Sequence, residues 1–213
     1  MTNFIPVFPL NLVVYPGESL NLHIFEPRYK QLINECFVEK KLFGIPVVIE
    51  NNLTDLGTLI AIKEIVKVYE DGRMDVKTEG IKIFKVLETI QSIPDKLYAG
   101  AIVSYPANNA VTNKKLMPNV LSSIRQFHSM LNVQKVFKKA DDELLSYDVA
   151  HHAGLNIQEE YELLGLFNEE QRLEYLRRHL KKIINVAGSI ESLKQRIQLN
   201  GHFKELKGFN FGT

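Results

Sequence analysis

The 213-residue chain has little cysteine, no excess of charge of either sign and no long apolar run. Its single thiol, Cys36, excludes an internal disulfide, and the apolar-periodic stretch around it indicates a buried structural thiol in a reducing compartment. The 26 basic and 25 acidic side chains give a net charge of +1. This balance does not favour a protein whose main role is to grip a long polyanion.

Signals for a membrane or for secretion are also missing. Charged or turn residues interrupt every apolar run well before the roughly 18 residues that a membrane helix needs. Residues 1–9 lack the charged region and long apolar run of a secretory signal. The sequence therefore predicts a cytoplasmic protein that does not use a membrane as a partner.

The common motifs of catalysis and cofactor binding do not occur. The chain has no phosphate-binding G-x-x-x-x-G-K-[ST] and no dinucleotide-binding G-x-G-x-x-G. It also has no H-E-x-x-H, no C-x-x-C and no G-x-S-x-G nucleophile elbow. We therefore expect no catalytic residues, no cofactor and no metal, and predict that the chain is not an enzyme.

Residues 1–110 are predicted to be rich in strands, because short runs of Val, Ile, Phe and Tyr alternate with turn residues. Ile60, Ile62, Val66 and Val68 share one parity and are expected on one strand face. Asp71-Gly72 predicts a hairpin turn, and Gly80 marks a break before another strand. Further short strands are expected over residues 43–49 and 98–105. The one helix expected in this half begins at Pro27, with Tyr29, Leu32, Ile33, Cys36 and Phe37 at helical spacing.

Residues 111–213 are predicted to be helical. Leu116 to Leu131 repeat apolar residues every three to four positions, and Asp141-Asp142-Glu143 has the form of a helix start. Asn156 and Glu159 have capping-box spacing, and Asn168 is expected to start another helix. A last helical stretch from Ser189 to about Leu206 offers a surface for pairing with a second copy. Charge divides in the same way, with a net −2 over residues 1–110 and +3 over residues 111–213.

Three features of the helical half are candidates for metal binding, catalysis or nucleic-acid binding. His151-His152 point about 100° apart on a helix, so they chelate one metal poorly, and a packed or solvated pair is favoured. Ser189 and Lys194 lie on different helix faces, which does not suit a Ser/Lys nucleophile. For the basic cluster from Arg177 to Lys182, a solvated helix face is the favoured interpretation, and a nucleic-acid-binding patch is the alternative.

Two features of the β half are candidates for structure or recognition. Glu26 and Arg28 flank the start of the Pro27 helix, and a local structural role is favoured over direct ligand contact. Tyr15, Tyr69 and Tyr105 are expected in the sheet wall with wet hydroxyls, or at the border of a peptide groove.

A set of short strings carries a family resemblance. Phe8-Pro9-Leu10, Val14-Tyr15-Pro16-Gly17 and the run Leu20 to Tyr29 resemble the opening signature of the N-terminal domain of Lon proteases. Phe43-Gly44, Leu56-Gly57-Thr58, Asp71-Gly72-Arg73 and Gly80 to Phe84 follow in the order and spacing of that domain, and Leu199 to Leu206 resembles the helix that leads to the Lon ATPase.

The resemblance implies a fold, and the residues agree with it. It implies an α+β chain with a PUA-like β pseudo-barrel over residues 1–110 that encloses one helix. A helical bundle over residues 111–213, with a long C-terminal helix, is implied to follow. Since the ATPase and the protease of Lon would come after Thr213, the resemblance implies a stand-alone substrate-binding domain without catalysis.

Two hypotheses of function follow. The first is a non-catalytic module that binds unfolded or tagged polypeptides, with Glu26, Arg28 and Tyr29 as structural or recognition residues. A role as an adaptor of full-length Lon is a variant of this first hypothesis. The second is an RNA-binding PUA-like protein, which the acidic β half argues against and the cluster from Arg177 argues for.

Overall fold

The computed structural model describes residues 2–110 and 115–185. It contains both helices and an antiparallel sheet, which confirms the mixed α and β content predicted from the sequence. It divides into two compact units with the boundary between Pro106 and Ala107. The predicted stretch from Ser189 to Leu206, the tail after it, and the pair Ser189 and Lys194 lie outside the described residues.

In the first unit, residues 2–106 form six strands and one helix. In chain order these are β1 (Thr2–Pro6), β2 (Ser19–Ile24), α1 (Pro27–Val38), β3 (Phe43–Ile49), β4 (Asn52–Val68), β5 (Met74–Ile90) and β6 (Gly100–Ser104). The sheet order is β1-β6-β5-β4-β3, with β2 on β5. The chain after β1 returns to β3 through parallel bridges from Val7 to Gly44 and from Leu10 to Val47. These bridges connect the first and last strands of the sheet order.

The predicted turn at Asp71-Gly72 is confirmed. The amide of Tyr69 donates to the carbonyl of Arg73, and the amide of Gly72 donates back to Tyr69. Gly72 has φ of +76°, a left-handed conformation that glycine adopts without a steric penalty. This turn joins β4 and β5, which are 17 residues long each.

Gly80 does not end a strand, because β5 runs through it without a break. A Cβ at this position would lie 2.3 Å from the carbonyl oxygen of Tyr15. The amide of Gly80 donates to the carbonyl of Glu18, and its own carbonyl accepts from Gly17. Glycine is therefore required here by a close backbone approach and not by a turn.

The expected common face of Ile60, Ile62, Val66 and Val68 is wrong in part. Bulges in the pairing of β4 with β5, between Leu59 and Lys67, shift the alternation along the strand. Ile60 is buried, but Val66 and Val68 are 49% and 63% exposed. The second half of β4 therefore presents apolar side chains to solvent.

Helix α1 packs on the sheet with the face that the sequence predicted, apart from Phe37. Pro27 occupies its first turn, and Tyr29, Leu32, Ile33 and Cys36 are buried. They form one core cluster with side chains of the strands and of the loop before β2, including Phe8, whose ring stacks on Tyr29 at 3.8 Å. Phe37 is 44% exposed and lies outside this core.

In the second unit, the described residues form four helices and a short 3₁₀ turn. These are α2 (Met117–Met130), α3 (Ser146–Val149), the turn Ala150–His152, α4 (Ile157–Leu164) and α5 (Glu169–Asn185). The capping box is confirmed, because Asn156 and Glu159 each accept the backbone amide of the other. The helix start at Asp141 is wrong, since residues 141–143 form a turn and α3 begins at Ser146. Asp141 pairs instead with Arg125 at 2.7 Å.

A buried ion pair links the helix starts of this unit. Glu169 and Arg172 are 0% and 1% exposed and lie 2.8 Å apart. Glu169 also accepts from the amide and the hydroxyl of Ser146 at the start of α3. Arg172 Nη1 donates to the side chain of Asn108 and to the carbonyl of Leu166, both at 2.7 Å. The pair thus satisfies polar groups of three segments at once.

The histidines of this unit have structural partners. His151 and His152 lie in the 3₁₀ turn, so their predicted place on an α-helix is wrong. His128 donates through Nε2 to the carbonyl of His152 at 2.9 Å, and His151 Nδ1 lies 2.8 Å from Glu160. The His152 ring packs edge-on against Phe137, with 4.8 Å between ring centroids. Within residues 2–110 and 115–185, no group of His, Cys, Asp and Glu is arranged to hold a metal ion.

Arg172→Met tests the buried ion pair. It leaves Glu169 buried without its cation, so we expect a loss of about 3–5 kcal/mol in the free energy of unfolding. The matched change Arg177→Met removes an exposed pair with Glu174 on the same helix, and should cost far less, because exposed ion pairs contribute little to stability. Urea unfolding followed by helical circular dichroism measures both, and equal losses would contradict the role of the buried pair.

His152 should make stability depend on pH. Burial, and then the nearby His128, lower the pKa of His152 to about 4. The unfolded chain takes up this proton near pH 6.5, so stability is full above that pH and falls by about 3 kcal/mol as the pH drops toward 4. His152→Leu should flatten this part of the unfolding profile, whereas His151→Gln should keep it. An unchanged slope in the His152 variant would show that other groups carry the effect.

Candidate functional site

The C-terminal end of α1 turns the chain away from the sheet. The amide of Lys41 donates to the carbonyl of Cys36, and that of Lys40 donates to Phe37. This is the Schellman arrangement, and Lys40 occupies its left-handed position with φ of +52°. Glycine is usual at that position, so the turn itself does not require the side chain of Lys40.

A groove lies beside this turn, and we name it the edge groove. Its volume is about 580 Å³. It is lined by the end of α1, the loop that follows and the middle of β4: Cys36, Phe37, Val38, Lys40, Lys41, Leu42, Ala61 and Ile62. Val38 is 79% exposed and Leu42 is 36% exposed, so the groove offers apolar surface to a ligand.

The second half of β4 borders the edge groove, and one of its sides has no partner strand among residues 2–110 and 115–185. Pairing of β3 with β4 ends at Phe43 and Ile60. From Ala61 to Val68, β5 is the strand that pairs with β4 within the described part of the chain. We call residues 61–68 the open edge. Backbone groups along such an edge can hydrogen-bond to an added strand.

A second groove lies on the other side of the same loop. Its volume is about 520 Å³, and Cys36, Lys41 and Leu42 line it as well as the edge groove. Its remaining walls include β1, where Phe4 is 52% exposed, and Tyr105 after β6. Exposed apolar surface therefore continues around the end of α1.

Glu35 organises the rim of this second groove. It accepts hydrogen bonds from Lys96 Nζ at 2.8 Å, from the hydroxyl of Tyr98 and from Gln31 Nε2 at 3.0 Å. Burial acts to raise the pKa of Glu35, but these hydrogen bonds outweigh it and hold the pKa below its usual range. The carboxylate is thus ionised and fully engaged, which suits a rigid wall and not an acid–base catalyst.

The single cysteine is buried, as predicted. Burial, and then the charges of Glu35 and Glu39, raise the pKa of Cys36 to about 12. A thiol with this pKa is protonated at neutral pH and is a poor nucleophile. Cys36 therefore lines the grooves as an apolar surface.

Glu26, Arg28 and Tyr29 are close together at the start of α1. Arg28 donates to Glu26 through Nη2 at 2.6 Å and through Nε at 3.0 Å. The Arg28 guanidinium lies 4.7 Å from the centre of the Tyr29 ring. Tyr29 is buried against Phe8, so it holds α1 to the sheet. None of the three lines the edge groove.

The three tyrosines have different environments. Tyr15 is fully buried, so the expectation of a wet hydroxyl is wrong for it. Tyr69 donates to Asp75 at 2.8 Å, and Asp75 in turn lies 2.6 Å from His23 Nδ1. Tyr105 lines the second groove, which agrees with its expected place at the border of a groove.

The basic cluster of α5 is partly neutralised. Arg177 and Arg178 both donate to Glu174 at 2.7 Å, and these bonds lower the pKa of Glu174 to about 2. Arg177 and Lys181 line a small polar groove between α2 and α5. The cluster is therefore a solvated helix face with one shared counter-ion, as the first reading expected.

Sequence analysis named Cys36, Phe37 and Ile62 for their apolar spacing, but it missed the other residues that line the edge groove. These others, Val38, Lys40, Lys41, Leu42 and Ala61, belong to no string that resembles a family. One signal was present in the sequence: the predicted strand over residues 43–49 is much shorter than the hairpin arms around Asp71. A long arm beside a short partner leaves part of its edge unpaired.

No helix in the described ranges is both long and apolar enough to cross a membrane.

Comparison with known proteins identifies relatives of this chain. The Lon protease of Buchnera aphidicola subsp. Schizaphis graminum is 23% identical over 212 residues, which cover 91% of this chain and 27% of the relative. The Lon protease of Parabacteroides distasonis is 36% identical over 98 residues, or 42% of this chain and 12% of the relative. The chain thus spans about a quarter or less of the length of these curated relatives.

Two solved structures share the fold. The Lon N-terminal domain protein from Xanthomonas campestris has a TM-score of 0.63 and 23% identity, and the match covers 82% of this chain and 96% of that one. The N-terminal domain of Mycobacterium avium complex Lon protease has a TM-score of 0.61 and 14% identity, with 84% and 98% covered. At these identities the likeness concerns the fold alone.

A family profile covers most of the chain. The profile described as the ATP-dependent protease La (LON) substrate-binding domain matches residues 5–182. This match spans the strings from Phe8 to Phe84, and it extends into the helical unit as far as residue 182. The chain therefore belongs to the family of the LON substrate-binding domain.

Proposed function

We propose that this chain is a polypeptide-binding module that recognises unfolded or tagged protein segments without performing chemistry on them. The observation that carries the proposal is the exposed apolar surface of the edge groove beside the open edge of β4. Family membership supports it, since the family is described as the substrate-binding domain of a protease. The engaged Glu35 and the unreactive Cys36 support a surface that binds and does not catalyse.

The architecture that we propose has two parts. Residues 1–110 form a PUA-like pseudo-barrel around α1, supported by the bridges from Val7 and Leu10 that connect the two ends of the sheet order. Residues 111–213 form a helical bundle, supported by the packing of α2 on α5. In this architecture Glu26, Arg28 and Tyr29 fix α1 against the sheet, and so position the edge groove.

The partners that we propose are protein segments, with full-length Lon as a further partner if the chain acts as an adaptor. The balanced charge and the single buried thiol support a cytosolic setting without a membrane partner. In this proposal, any mechanical consequence of binding comes from the partner.

RNA binding is the weaker alternative. The polar groove with Arg177 and Lys181 favours it, but Glu174 already engages Arg177 and Arg178. Binding of a single-stranded RNA that falls steeply with salt and is lost in Arg177→Ser would favour this alternative. Binding that changes little with salt would exclude it.

Val38→Ser tests the proposed function. Val38 is 79% exposed, so the change should leave the fold intact while removing an apolar contact that is buried when a ligand binds. Loss of about 1–2 kcal/mol from that contact predicts an affinity about tenfold weaker for reduced, carboxymethylated lactalbumin. Fluorescence anisotropy measures the affinity, with native lactalbumin as the folded comparison.

Val136→Ser is the matched control, because Val136 is 92% exposed and belongs to the helical unit. Its affinity for the unfolded probe should stay within about twofold of the unaltered protein. Equal effects of the two valine changes, or equal binding of folded and unfolded lactalbumin, would contradict a polypeptide site at the edge groove.

A further inference from the structure

We propose that the open edge takes up an extended polypeptide segment as an added β-strand, and that the preferred segment carries apolar side chains between acidic ends. This inference rests on the proposed function and specifies its binding mode and ligand chemistry. It is carried by three separate observations: the place where β3 leaves β4, the apolar side chains beside that place, and the sign of the charge along it.

We use the word lane for the space along the unpaired side of residues 61–68. This lane continues the line of β3. Phe43 of β3 pairs with Ile60, and the preceding residue, Leu42, belongs to the loop that comes from α1. The residues before β3 do not continue along β4, because the Schellman turn at Lys40 connects them to the end of α1. A strand added from another chain would therefore extend the row of β3 and hydrogen-bond to the open edge.

Apolar side chains stand along this lane. Phe37, Val38 and Leu42 are exposed at its start, and all three line the edge groove. Val66 and Val68 are exposed on the open edge itself. Because successive side chains of a strand point to opposite faces, alternate residues of a bound segment would contact the groove. An apolar residue at every second position matches this surface.

Lysines stand along this lane, and several of them lie close to carboxylates. Lys63 and Glu64 have their own partners on β5, namely Glu79 and Lys77. Lys40 lines the edge groove, and among the described residues it forms no ion pair.

The far end of the lane also carries a cation. Lys67 stands near the end of the open edge, opposite Asp75 of β5, with its ammonium 4.3 Å from the centre of the Tyr69 ring. Lys41, at the start, shares its charge with Glu39. Cations thus stand at both ends of the lane, and acidic residues that flank an apolar centre would complement them.

Lys40 offers a clean test because of its backbone. Its φ of +52° is one that glycine adopts more easily than lysine, so Lys40→Gly removes the cation and keeps the turn. The variant should be as stable as the unaltered protein. A change in binding can then be assigned to the lost charge.

The probe is a short acetylated and amidated peptide of alternating valine and threonine with two glutamates at each end. Capped termini remove terminal charges, so only the side-chain carboxylates distinguish it from a second peptide with lysines in their place. We expect the glutamate peptide to bind at least about fivefold more tightly than the lysine peptide at low salt. Lys40→Gly should weaken the glutamate peptide by about threefold to fivefold and leave the lysine peptide unchanged or tighter.

Lys138→Gly is the control for this charge, since Lys138 is exposed in the helical unit. Its affinity for the glutamate peptide should equal that of the unaltered protein. Equal losses in the two lysine variants, or equal affinity for the two peptides, would overturn the preference for acidic ends.

Backbone methylation tests the added strand. In a strand at an edge, alternate amides donate to the sheet and the others face away. N-methylation of the valines and of the threonines in two separate peptides should therefore abolish binding in one and spare most of it in the other. Equal loss, or no loss, in both peptides would overturn the strand mode.

The two proposals fail in different ways. If unfolded lactalbumin binds and Val38→Ser weakens it, while the methylated peptides behave alike, polypeptide binding stands and the added strand is wrong. If neither unfolded lactalbumin nor any peptide binds, both proposals are wrong.

Discussion

The length of the β4–β5 hairpin is the constraint on which the first unit depends. Each arm has 17 residues, more than any other strand of the described chain, so no single neighbour can cover it. β5 solves this by pairing with β2 along its first half and with β6 along its second. β4 is covered by β3 over one half alone, which leaves the open edge and sets the place of the edge groove.

An exposed edge is a hazard as well as a binding surface, and this one carries features that limit unwanted pairing. Two irregularities in its pairing with β5 interrupt its regular alternation. Lys63, Glu64 and Lys67 place charges along it, and charged edges discourage association with other sheets. The exposed Val66 and Val68 work in the opposite direction. An edge with both properties is suited to selective and reversible addition of a strand.

Family motifs and the candidate site do not coincide in this chain, and there is a physical reason. The strings from Phe8 to Tyr29 consist largely of residues that pack the core or close a local contact, as the stacking of Phe8 on Tyr29 illustrates. Such residues determine how α1 lies on the sheet. The groove instead uses Val38, Lys40 and Leu42, whose side chains are exposed and therefore free of the packing that makes a pattern recognisable.

The sequence by itself determined the local elements, because each depends on contacts only a few residues apart. Pro27 started α1, Asn156 and Glu159 capped α4, and Gly72 made the hairpin turn, all as expected. The tertiary structure decided what no local pattern could report. The close approach of Tyr15 requires glycine at position 80 inside a strand, and Glu169 and Arg172 meet Ser146 in the interior. It also decided which half of β4 stays unpaired, since that depends on where β3 ends and α1 begins.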